Sequence, residues 1–108
     1  MRGVRNSPGW IVVCHETGEA CEETARYWLD QGGDRSLLGT LIVCAAVARV
    51  VTSHLDLGAD LAVPVFDFLA EVCREAGEAC EHHDDARLRE CAERCFWCES
   101  CAREALAG

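Results

Sequence analysis

Nine cysteines stand in a chain of 108 residues, and their spacing is its first chemical signal. The segment Cys14-His-Glu-Thr-Gly-Glu-Ala-Cys21 recurs almost letter for letter as Cys73-Arg-Glu-Ala-Gly-Glu-Ala-Cys80, Cys44 lies between them, and Cys91, Cys95, Cys98 and Cys101 follow in a run. Residues three or four apart on a helix share a face, with Cβ atoms about 5–6 Å apart, so Cys91 with Cys95, and Cys95 with Cys98, form clamps for one soft ion each. Thiolates select Cu(I), Zn(II) and iron–sulfur clusters and disfavour hard ions such as Mg(II) and Ca(II). Zinc ranks third, because the paired CxxC knuckles of a zinc ribbon are absent. All nine thiols, Cys14, Cys21, Cys44, Cys73, Cys80, Cys91, Cys95, Cys98 and Cys101, are candidate metal ligands. No enzymatic activity is expected: a Cys–His pair for nucleophilic catalysis needs a third orienting group that the sequence does not supply, and no phosphate-binding Gly loop or dinucleotide fingerprint occurs.

Four helical segments must position these thiols. Abundant Ala, Leu, Glu and Arg favour an all-α chain, with breaks at Gly32 and Gly33, at Gly58 and at His82 to Asp85. Asp34 or Ser36 suits the N-cap of the second helix, Pro64 the first turn of the third, and Asp84 or Asp85 the N-cap of the fourth. Heptad positions align Ile11, Cys14, Gly18, Cys21, Ala25 and Trp28 in the first helix, and Leu37, Leu41, Cys44, Ala48, Val51 and Leu55 in the second. The third seam reads Val63, Phe66, Ala70, Cys73, Gly77 and Cys80; the fourth reads Leu88, Cys91, Cys95, Cys98, Ala102 and Ala105, with Cys101 at its edge. Short loops between such helices imply an antiparallel up-down-up-down four-helix bundle, a single domain over residues 1–108 with a loose arm at 1–9. In that path Cys21, Cys44, Cys73 and one of Cys95 or Cys98 fall near mid-height. Cys80 meets Cys91 towards one end, and Cys14 lies with Cys101 towards the other. One or two buried Cys need no function, but eight on one seam exceed what packing asks for.

Nine Cys would suggest disulfides in a secreted chain, yet these lie in helical stretches, their number is odd, and the first thirteen residues lack the apolar run of a signal peptide. A reduced, cytoplasmic protein is expected. No apolar stretch of the roughly 20 residues needed for a membrane span is evident, since Leu37 to Val51 is short and contains Arg49. A formal charge of −9 argues against nucleic acid and anionic membranes as partners.

The chain resembles the bacterial four-helix-bundle copper storage proteins and the Cys-rich family around them, which repeat CxxxC and CxxC along their helices. The match is best over residues 73 to 101, where Cys91-Ala-Glu-Arg-Cys95-Phe-Trp-Cys98 follows Cys80 and the His82-His83 loop, and it also takes in Cys14 to Cys21 and Cys44-Ala45. The resemblance implies that core thiolates bind Cu(I), with His82 and His83 at the bundle end assisting. Where the family repeat would place further Cys, this chain has Gly18, Ala25, Trp28, Ala48 and Gly77. That leaves a low-capacity Cu(I) buffer or delivery protein, with a copper chaperone as partner. The alternative is one discrete centre, a 4Fe–4S iron–sulfur cluster in an acidic electron-transfer protein that docks on a redox enzyme. Gly in a helix interior costs about 1 kcal/mol relative to Ala, so Gly18 and Gly77 at equivalent seam positions suggest space kept open, with close helix packing as the plainer explanation. Self-association is left open. His15 and His54 are expected to be solvated, as are Glu19, Glu22, Glu78 and Glu81, while Trp28, Phe96 and Trp97 are expected to pack against neighbouring helices or a partner.

Overall fold

The computed structural model describes residues 8–57 and 63–107. Four helices follow in order: α1 (Pro8–Asp30), α2 (Arg35–Asp56), α3 (Val63–Glu81) and α4 (Ala86–Ala107). Helix α1 packs on α2 and α4, and α3 packs on the same two, which closes an antiparallel four-helix bundle. Pro8 and Gly9 belong to the first turn of α1, so helix begins two residues earlier than the sequence suggested. The rest of the expected arm, and the break at Gly58, lie outside the described residues.

The helix ends follow from local chemistry. Asp34 caps α2: its side chain accepts from the Leu37 N–H at 2.9 Å, and its backbone is extended. Asp85 does the same for α4, accepting from the N–H groups of Arg87 at 2.9 Å and Leu88 at 3.1 Å. Gly32 ends the α1 turn with φ at +70°, a left-handed conformation that glycine adopts without a Cβ penalty.

The heptad seams face the core. Among the thiols, Cys14, Cys21, Cys44, Cys73, Cys80, Cys91, Cys95 and Cys98 are buried, alongside Leu37, Leu41, Val51, Phe66, Leu69 and Leu88. Val63 departs from the pattern and is 56% exposed, because it is the first residue of α3 and extends past the packed region.

Helix α2 corrects the expectation about apolar length. It has 22 residues and a mean hydropathy of 1.8 along its most apolar stretch, which by length and composition alone suffices to cross a membrane. Its apolarity has a packing reason: Leu37, Leu41, Ala48, Val51 and Leu55 fill the core around the single thiol Cys44. Ile42, Val43 and Val50 add to it from the exposed side.

The two seam glycines keep no room open. A Cβ on Gly18 would stand 3.3 Å from the Ala48 Cβ and 3.7 Å from the Ala45 carbonyl oxygen, so Gly18 lets α1 and α2 approach closely. A Cβ on Gly77 would stand 2.5 Å from the Phe96 ring, which fills the space beside α3. The plain packing explanation therefore replaces the idea of vacated space. Gly77→Ala should lower unfolding free energy by up to about 2 kcal/mol, as overpacking of about 1–3 kcal/mol outweighs the helix-propensity gain of about 1 kcal/mol. Urea denaturation of the metal-free protein checks this, and the loss should shrink when Phe96→Leu is present in both members of the pair.

Candidate metal centre

The eight buried thiols form one continuous column along the bundle axis. Cys21 Sγ lies 3.6 Å from Cys95 Sγ and 3.9 Å from Cys91 Sγ, and Cys44 Sγ lies 3.8 Å from Cys73 Sγ. The sulfurs of Cys21, Cys44 and Cys95 lie within 4.8 Å of one another, which joins these pairs at mid-height. Cys80 hydrogen-bonds Cys91 towards the α3–α4 loop. In the other direction Cys73 hydrogen-bonds Cys98, and Cys98 hydrogen-bonds Cys14. All four helices contribute, because antiparallel neighbours bring their seam positions to the same heights.

The height assignments mostly match the sequence. Cys95 joins Cys21 and Cys44, and Cys80 meets Cys91 as expected. Cys14 differs: it pairs with Cys98 rather than lying with Cys101, and its S–H donates to the Ala48 carbonyl at 3.5 Å. Cys101 is half-buried at the edge of α4, outside the column, with its thiol pushed up by burial and by the nearby Cys98.

The column sorts its protons by hydrogen bonding. Hydrogen bonds of Cys44 with Cys21, Cys73 and Cys95, of Cys91 with Cys21, Cys80 and Cys95, and of Cys98 with Cys14 and Cys73 pull these three below the ordinary thiol range. Their partners Cys14, Cys21, Cys73, Cys80 and Cys95 are pushed up, by the same hydrogen bonds first and by burial as well.

Three threonines escaped the sequence reading. Thr17, Thr24 and Thr52 are the buried polar residues among those described. Thr17 Oγ1 donates to the Val13 carbonyl at 2.8 Å, and Thr52 Oγ1 to the Ala48 carbonyl at 2.8 Å. Each hydroxyl lies beside a thiol and favours its ionised form: Thr17 beside Cys98, Thr24 beside Cys91, Thr52 beside Cys14. The available signal was spacing, for Thr17 and Thr24 follow Cys14 and Cys21 by three residues each.

The histidines stay outside the column. The His15 ring lies 3.7 Å from Glu19, His54 Nδ1 contacts the Val50 carbonyl at 2.9 Å, and His82 Nδ1 contacts the Glu78 carbonyl at 2.8 Å. His83 helps to close the bundle end above Cys80. Its ring lies edge-on to Trp28 with centroids 4.9 Å apart and 3.7 Å from Asp34, and the His83 backbone N–H donates to the Cys80 carbonyl at 3.2 Å. Trp28 is fixed in turn by donating Nε1–H to the Asp34 carbonyl at 3.2 Å, with Gly33 pressed against the indole.

The side of the bundle is more open than this end. A cleft of about 340 Å³ between α1 and α4 is lined by Ala20, Glu23, Thr24, Arg87, Cys91 and Arg94, among others.

Chemically, the spacing suits soft cations shared between sulfurs. With metal–sulfur bonds of about 2.3 Å, three thiolates around one ion stand about 4 Å apart, close to the separations of 3.6–3.9 Å found here. The sulfurs are spread along the axis rather than gathered around one void, and Phe96 occupies the space beside Gly77. The arrangement therefore lends no support to the iron–sulfur alternative.

Fold and site together define a thiol-lined four-helix bundle of the soft-metal-binding class. The family model described as copper storage protein matches residues 6–107, and the chain belongs to that family. Among solved structures, the Cu(I)-bound copper storage protein BsCsp3 superposes with a TM-score of 0.85 at 20% identity, covering 93% of this chain and 97% of that one. No curated protein sequence matches the chain.

Proposed function

We propose that this protein stores Cu(I) on the thiol column of its bundle core. The observation that carries the reading is the unbroken succession of eight buried sulfurs supplied by all four helices. Family membership and the likeness to a Cu(I)-bound relative support copper among the soft ions. Cys14, Cys21, Cys44, Cys73, Cys80, Cys91, Cys95 and Cys98 are the proposed ligands, and Cys101, half-buried at the edge, is left outside the set.

If each Cu(I) takes two unshared thiolates, eight thiols hold about four ions, and bridging sulfurs raise that number. The role is a store of intermediate capacity rather than a single delivery site. Closely spaced free thiols need a reducing surrounding, which favours the cytoplasm. A net charge of −9 fits the role, since each bound cation offsets part of the charge on the thiolates.

Anaerobic titration with Cu(I) against a chromophoric chelator tests the proposal. About four or more Cu(I) per chain, in a nearly colourless protein, is the expected result. A brown protein with iron and acid-labile sulfide in equal amounts after anaerobic purification would overturn it.

A further inference from the structure

The column has to be reached from outside, and two approaches near Cys80 and Cys91 differ. At the bundle end, Trp28 and His83 lie edge to face over the last turn of α3, and the Asp34 cap of α2 holds both through the indole N–H and the His83 ring. This end is closed by packed aromatic rings. On the flank, the α1–α4 cleft descends to Cys91, which stands at a junction of the column with hydrogen bonds to Cys80, Cys21 and Cys95.

The flank is open for a structural reason. Ala20 leaves little side chain at the rim, and two side-chain links join the helices at the surface, outside the buried contact between Cys21 and Cys91. Towards the α3–α4 loop, the Tyr27 hydroxyl donates to Asp85 at 2.6 Å and Arg87 lies over the Tyr27 ring at 4.9 Å. Further along, Arg94 on α4 reaches Glu16 on α1 at 3.4 Å, with both side chains about half exposed. Arg94 borders this cleft and the two smaller ones that continue it past Glu16, Glu19 and Trp97.

We propose that copper enters and leaves the column laterally, through the α1–α4 cleft at Cys91, with Arg94 as a movable strap across the opening. The proposal rests on the Cu(I)-storage reading. The cleft's volume lies at the small end of small-molecule sites, and its rim carries Arg87 and Arg94 with Glu23 and Glu90. That charge set fits a small thiol carrier bearing both carboxylate and ammonium groups. In the exchange, the bond between Cu(I) and the carrier sulfur breaks as the bond to Cys91 Sγ forms. The copper keeps its oxidation state, and the departing carrier thiolate takes up any proton displaced from the column. Copper then passes to Cys21 or Cys80, both within hydrogen-bonding contact of Cys91.

Anaerobic stopped-flow loading from the Cu(I)–glutathione complex, followed by thiolate-to-copper absorption, tests the port. Ala20→Phe fills the rim from a half-buried surface position and should slow loading about tenfold, with the final number of bound ions unchanged. Arg94→Ala removes the strap and should speed loading several-fold, while His82→Ala/His83→Ala at the bundle end should load at the wild-type rate. Loading of both Ala20→Phe and Arg94→Ala at the wild-type rate would overturn the port, as would slowed loading confined to the histidine variant. If Ala20→Phe unfolds, Arg94→Ala alone decides. Failure of the wild type to bind Cu(I) at equilibrium refutes the storage reading itself, whereas full binding with unchanged rates refutes only the port.

Discussion

Cys21→Ala should remove on the order of one to two Cu(I) ions from each chain, whereas Cys101→Ala should leave the copper content unchanged. Cys21 contacts Cys95 at 3.6 Å and Cys91 at 3.9 Å and belongs to the mid-height triad with Cys44. Its loss therefore removes a sulfur that Cys91, Cys95 and Cys44 share, leaving Cys91 joined to the mid-height set through Cys95 alone. Cys101 contributes to none of these contacts and is only half-buried. Alanine avoids placing a new polar group in the core, and the lost packing of one small side chain costs about 1 kcal/mol, little enough for the bundle to stay folded. Equilibrium titration and metal analysis of the two variants check the contrast. Equal copper content in both would show that the column is not the store.

Acid should release the copper. Cys14, Cys21, Cys73, Cys80 and Cys95 hold their protons more tightly than ordinary thiols, because hydrogen bonds with neighbouring sulfurs and burial both favour the neutral form. Each must give up that proton to become a ligand, so protons compete with copper and apparent affinity falls as pH falls. Cys44, Cys91 and Cys98 are pulled the other way and add little to this competition near neutrality. Most neighbouring pairs combine one thiol of each kind, Cys44 with Cys73, Cys80 with Cys91 and Cys14 with Cys98 among them. Each Cu(I) should then displace about one proton, and affinity should drop about tenfold per pH unit below neutrality. Proton release in a pH-stat during anaerobic loading measures the first quantity. Chelator competition at several pH values, corrected for the chelator's own titration, measures the second. Affinity that rises as pH falls would contradict the sign.

The helices and their inner faces were legible because both rest on local rules. Apolar and thiol residues repeat at helical spacing, Asp34 and Asp85 carry the side chains that cap a helix, and Pro64 suits a first turn. Heptad assignment put eight cysteines inside and Cys101 at the edge, as the burial of each confirms. The reading failed where two helices had to be set against each other. Gly77 looked like an empty place until Phe96, on another helix, was found to fill it, and Gly18 is matched to Ala48 across the α1–α2 contact. Cys14 was placed with Cys101 by counting residues along the path, but the axial offset between α1 and α4 brings it to Cys98.

By itself the sequence determined a four-helix bundle with thiols along one inner seam of each helix, because helical period and capping chemistry act over a few residues. Only the tertiary structure decided that these thiols join into one column, that three buried threonines lie beside them, and that a cleft descends to Cys91 beside Ala20 while Trp28 and His83 pack over the bundle end. Those properties depend on helix offsets and side-chain packing between segments distant in the chain, which no local pattern encodes.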